Sequence, residues 1–190
     1  EPSSTWGTRM ISVSFRCHIN RLALAFFTLC LASATDAGLF VPGPEPWPMW
    51  APADETSTAT IDHGVWQGLL DTYLLVDSPD GIHRFTYGAV SGPDRRRLQG
   101  YIAGLAGLDP RYYARAEQMA YWVNLYNALT IEAVLAEYPV KSIREVYGGL
   151  LNTGPWNRTL VTVAGQPLSL NDIEHRILRP LWRDPRIHYA

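Results

Sequence analysis

The run AYWVNLYNALTIEAVL, Ala120 to Leu135, limits the fold more than any other part of the chain. It holds no proline or glycine and is almost wholly apolar or aromatic, so it predicts an α-helix of about four turns. On a helical wheel Ala120, Val123, Ile131 and Leu135 share one side. Trp122, Leu125, Tyr126, Leu129 and Ala133 cover the other. A helix that is apolar on both sides belongs in the middle of a domain. Asn124 and Asn127 nevertheless stand on the first side. A buried amide without a partner costs about 1–3 kcal/mol, so both amides are expected to be hydrogen-bonded. Either they pin the backbone of a neighbouring loop, or they line a polar pocket and bind substrate.

The segments around this helix alternate between helical and strand-like patterns. DHGVWQGLLDTYL places Val65, Trp66, Leu69, Leu70 and Tyr73 at helical spacing, with Asp62 as an N-cap. PDRRRLQGYIAGLAGL puts Leu98, Tyr101, Ile102, Leu105 and Leu108 on one face, and its DRRR run reads as a solvated first turn. Pro139 ends the long helix. SIREVY reads as a short helical turn and GGLLNTGPW as a loop. IHRFTY alternates like a strand. RTLVTVAGQPLSL reads as two short strands joined by a glycine turn. The fold class is therefore α+β: a helix-rich single domain around a buried central helix, with a small antiparallel sheet.

LNDIEHRILR raises a question like that of the asparagines. Leu170, Ile173, Ile177 and Leu178 form its buried stripe, and Glu174 falls inside that stripe. A carboxylate on a core face is either paired or neutralised. One reading pairs it with an amide of the long helix or with an arginine such as Arg179, which is also a candidate for substrate binding. The other makes Glu174 or His175 an acid–base group at a cleft. Ser169 and Asp172, three apart, form a capping box with Asp in place of Glu. Pro180 is expected to break the helix. His188, a lone histidine on a strand-like stretch, reads as structural from the residues alone. His63 and His83 are isolated and carry no signal. Asn157-Arg158-Thr159 fits a glycosylation sequon formally and reads as loop chemistry.

The N-terminus reads as a targeting segment. After Met10 come Arg16 and Arg21, then the apolar run LALAFFTLCLASA, which closes on Ala32-Ser33-Ala34. That order is a secretory signal peptide, too short for a transmembrane helix. Residues 1–34 are thus upstream sequence and leader, 35–60 a Pro-rich linker with Trp47 and Trp50 able to dock, and 61–190 the domain. Cleavage after Ala34 removes Arg9, Arg16, Arg21 and Glu1 from 16 basic and 18 acidic residues, leaving 13 and 17, a net charge of −4. It also removes Cys17 and Cys30. The exported domain, periplasmic or extracellular, would hold neither a disulfide nor a thiol. The charge gives no case for nucleic acid. The membrane is involved only during export. No metal-binding spacing, phosphate loop, dinucleotide fingerprint or GxSxG is present, so neither metal nor cofactor is expected. The expected partner is a small molecule or peptide.

Four stretches, AYWVNLYNALTIEAVL, SIREV, GPWNRTLVTVAGQPLSLNDIEHRILR and DPRIHYA, together resemble the bacterial and plant domain of unknown function 547 (DUF547). The resemblance covers roughly Asp62 to Ala190. In that family the last motif runs on into a Cys-Ala-Ser segment and a second Cys-Pro. The resemblance implies a domain cut short before its cysteines. It further implies a thiol-dependent hydrolase or transferase acting on an amide or thioester, with Glu174, His175 and His188 beside the cysteine. The alternative is a non-catalytic binding or scaffold module of the envelope.

Overall fold

The long helix extends further than its apolar run, from Arg115 to Glu137, and contributes eleven buried side chains to the core. The computed structural model describes residues 45–77, 79–147, 154–184 and 187. The leader, with Cys17 and Cys30, lies outside them. Helix α1 spans Gly64–Tyr73, α2 Gly92–Ala106 and α3 Arg115–Glu137. A π-helical segment, Asp172–Leu178, runs directly into a short α4, Arg179–Trp182. Strands β1 (Leu74–Leu75) and β2 (Arg84–Phe85) form one antiparallel hairpin; β3 (Val161–Val163) and β4 (Gln166–Leu168) form another. The architecture is α+β, with two separate two-stranded sheets among the described residues.

The caps follow from local chemistry. Ser91 opens α2 by accepting the Asp94 N–H at 3.2 Å. At α1 the Asp62 carboxylate accepts the Gly64 N–H at 2.7 Å, one residue outside the position expected for it. The β3–β4 turn puts Ala164 at φ 45° and Gly165 at φ 78°. Two consecutive positive φ values are what a two-residue hairpin loop requires. Trp66 of α1 stacks on Tyr101 of α2 with centroids 6.0 Å apart, and the Tyr121 hydroxyl donates to the Leu105 carbonyl at 3.0 Å. These contacts seat α1 and α2 against α3.

The segment before α1 packs along the domain, with a 3-10 turn at Pro48–Trp50. Trp50 is 1 % exposed and meets Trp122 of α3 edge to face at 5.1 Å. Gln118, buried inside α3, holds this segment down. Its Nε2 lies within bonding distance of the carbonyls of Pro52, Pro110 and Tyr113, while its Oε1 accepts from Arg115 Nη1. Arg115 also donates to the Ala51 carbonyl. The Ile61 N–H donates to Glu117 at 2.7 Å. A buried amide that satisfies backbone carbonyls of a proline-rich segment replaces the ladder such a segment cannot build.

Pro180 does not end its helix, contrary to the expectation above. Proline lacks an N–H and clashes with the carbonyl four residues back, which is that of Arg176. Two features remove the conflict. The preceding turn is π-helical, so the Arg179 N–H reaches back five residues to the Glu174 carbonyl. The Arg176 carbonyl accepts from outside the helix, from the Trp47 N–H at 3.0 Å.

Candidate functional site

The π-helical segment carries the chemistry-bearing residues, and its wider turn decides which of them meet. At its N-terminal end the capping box closes as expected. The Asp172 N–H donates to Ser169 Oγ at 3.2 Å, and Asp172 Oδ2 accepts from the Ser169 N–H at 3.0 Å and hydroxyl at 2.6 Å. Arg176 Nη1 donates to Asp172 Oδ1 at 2.9 Å. Burial alone would raise the Asp172 carboxyl, but the Ser169 hydroxyl and N–H and the Arg176 guanidinium outweigh it and hold it below the usual carboxylate range.

On the inner side Glu174 is occupied by two partners. Its Oε2 accepts from the Tyr126 hydroxyl at 3.1 Å, and its Oε1 from Arg179 Nη2 at 2.6 Å. Residues five apart face each other because the turn is π rather than α. Burial first, then the Glu174 carboxylate, push the Tyr126 phenol above its ordinary range, so it stays a neutral donor. The expected amide partner is thus replaced by a phenol of α3, while the expected arginine partner is present.

On the outer side is an open groove of about 540 Å³, lined by Asn157, Ser169, Asn171, Asp172, His175 and Arg176. Asn171 ties it to the preceding loop. Its backbone N–H donates to the Trp156 carbonyl at 3.0 Å, and its Nδ2 donates to Asn157 Oδ1 at 2.5 Å. Among the described residues the His175 ring makes no hydrogen bond or ion pair and lines this groove. The N-terminal segment also reaches here. Arg176 Nε donates to the Glu45 carbonyl at 3.3 Å, and its guanidinium lies 4.1 Å from the Trp47 ring centroid.

Glu174, Arg179 and Tyr126 therefore come together inside, and His175 joins Asp172 and Arg176 outside. Asn124 and Asn127 line neither the groove nor the Glu174 cluster. Both are half-buried, not fully enclosed, and neither side chain has a hydrogen bond among the described residues. The expectation that both are buried and paired is thus corrected: enough of the helix face is open for solvent to serve them. Asn124→Leu and Asn127→Leu are expected to change the unfolding free energy by no more than about 0.5 kcal/mol. A loss above about 1 kcal/mol in a urea titration would show a partner that this geometry does not contain.

His188 lies outside the described residues, as does all of RIHYA except the buried Ile187. His63, which carried no signal, meets the Tyr101 hydroxyl at 2.6 Å through Nδ1. Sequence reasoning missed Tyr126, Asn157, Asn171, Asp172 and Arg176 as members of either cluster. The usable signal was Pro180 seven residues after Ile173, which needs a disturbed helix between them. Among the described residues no group of three His, Cys, Asp or Glu side chains is placed to hold a metal ion, and no helix is long and apolar enough to cross a membrane.

Residues 110–190 match the model of the family described as Protein of unknown function, DUF547, which bears out the resemblance over that stretch. The match begins at Pro110, in a single 3-10 turn just before α3, and leaves α1 and α2 outside it. No curated protein and no solved structure matches the chain.

Proposed function

We propose that this DUF547 domain holds a polar small molecule or peptide in the groove beside the π-helix, and that His175 moves a proton there. The observation that carries this reading is the contrast between adjacent residues. Both oxygens of Glu174 are occupied by Tyr126 and Arg179, while the His175 ring lines an open polar groove with no partner among the described residues. An imidazole left free in a cleft of hydrogen-bonding groups is placed to take or give a proton. Glu174 is a structural pin, and Arg179 acts through it.

The reaction class is hydrolysis or transfer at an amide or thioester; the thiol in it rests on the family resemblance alone, and residues 35–190 contain no cysteine, so in the assays below His175 acts as a base on water. A panel of an aryl thioester and an N-acyl aryl amide tests the acid–base part. His175→Ala is expected to lower any turnover by about 10²–10⁴-fold while leaving the unfolding midpoint in place. Equal rates for the two proteins would contradict it. The competing reading, a non-catalytic envelope module, is favoured by one observation: the capping box and the Glu174 cluster use their polar groups internally. Under it no substrate of the panel turns over.

We also propose export, from the order Arg21, apolar run, Ala32-Ser33-Ala34. Mass spectrometry of the protein from expressing cells is expected to find Thr35 at the N-terminus. A mature chain still beginning at Met10 would remove this part.

A further inference from the structure

The hydrogen-bonding groups of the groove are unevenly used. Asp172 Oδ2 is filled by the N–H and hydroxyl of Ser169, and Oδ1 already accepts from Arg176 Nη1. Asn157 Oδ1 accepts from Asn171 Nδ2. Turning both amides end for end leaves the same balance, since one donor and one acceptor are spent either way. The groups without a partner among the described residues are mostly donors: Arg176 Nη2, the Asn157 amide nitrogen, the second N–H of Asn171 and one N–H of the His175 ring. Against them stand one amide oxygen, Asn171 Oδ1, and the acceptor nitrogen of a neutral His175 ring. The charge of Asp172 is offset by Arg176, so the groove presents no net negative field to an arriving anion.

Resting on the reading that this groove is the binding site, we propose that the ligand group it takes is a carboxylate. A hydroxyl or amide ligand brings donors of its own, for which the groove has fewer free acceptors than it has donors. An ionised carboxylate only accepts. Arg176 Nη2 supplies the charge-assisted bond, and the Asn157–Asn171 pair supplies the neutral ones. Trp47 is a positioning residue. Its ring covers one face of the guanidinium, and its backbone N–H donates to the Arg176 carbonyl, so the arginine is fixed from both ends before a ligand arrives. The groove is open to solvent, so an affinity on the order of millimolar is expected for a small acid.

The test uses the full chain and two probes of equal size, N-acetylglycine and N-acetylglycinamide, followed by NMR at the His175 ring and the Asn157 side-chain amide. The acid is expected to shift both sets of resonances saturably and to bind at least about tenfold more tightly than the amide. Arg176→Gln is expected to weaken the acid about tenfold or more, and Arg97→Gln, an exposed arginine of α2, to leave it unchanged. Asn157→Asp, at an exposed loop position that tolerates change, gives a second reading: it should weaken the acid and spare the amide. Equal affinities for the two probes, or an acid affinity indifferent to both Arg176→Gln and Asn157→Asp, would overturn the carboxylate assignment. If the amide alone shifts His175, the carboxylate is wrong and the binding groove stands. If neither probe shifts it, the carboxylate assignment fails with the groove.

Discussion

Trp50→Ala is expected to destabilise the protein by about 3–5 kcal/mol. Trp50 is 1 % exposed and lies edge to face with Trp122, itself fully buried at the middle of α3. Truncation removes the most deeply buried side chain that joins the N-terminal segment to the core. It also leaves a cavity that neighbours held by α3 cannot collapse into. A domain of this size is stable by about 5–15 kcal/mol in total, so the loss is a large share of the whole. Urea unfolding of the two proteins measures it. A loss below about 1 kcal/mol would mean that residues 45–61 are only loosely attached, and the Gln118 carbonyl contacts would then carry little weight.

Gly154→Ala is expected to cost about 2–4 kcal/mol, from two separable causes. Gly154 has φ 72°, and a β-carbon there would stand 2.0 Å from Trp156 Cζ3 and 2.4 Å from Cε3. The ring cannot yield freely, because Trp156 is partly buried against the core, and the backbone cannot shift freely either, since the Asn171 N–H donates to the Trp156 carbonyl and the Gly154 N–H to the Arg144 carbonyl, both at 3.0 Å. Gly165→Ala separates the causes. Gly165 has φ 78° but nothing within 4 Å of its virtual β-carbon, so it reports backbone strain alone, about 1–2 kcal/mol. Equal losses at the two glycines would show that the Trp156 contact contributes nothing. Because this loop also carries Asn157, Gly154→Ala should disturb the groove as well as the fold.

The central helix was legible because a long apolar run without glycine or proline has few other fates, and the capping box because Ser169 and Asp172 are local in sequence. The pairing of Glu174 with Arg179 was legible only in kind. A wheel drawn at 3.6 residues per turn puts His175, not Glu174, beside Arg179. The π geometry that changes this comes from Pro180 together with Trp47, 133 positions from it in the chain, which donates to the Arg176 carbonyl. The asparagines of α3 misled for a related reason. The wheel shows which residues share a side but not which side is covered, and theirs is only half-covered. A proline-rich segment reads alike whether it hangs free or is packed. Only the two tryptophans hinted at docking, and nothing in the sequence marked Gln118 as its anchor.

Glu174 and His175, adjacent in sequence, have different work: Glu174 is pinned by Tyr126 and Arg179, and His175 faces the groove. Glu174→Gln and His175→Gln, each measured for urea stability and for turnover of the thioester and amide substrates, separate the two most directly. Glu174→Gln keeps the shape but removes the charge that faces Arg179, so stability is expected to fall and turnover by the folded fraction to persist. His175→Gln is expected to leave stability within about 0.5 kcal/mol and to lower turnover about a hundredfold or more. The reverse pattern, with turnover lost at Glu174 and untouched at His175, would move the site to the inner cluster of Tyr126, Glu174 and Arg179 and contradict the account.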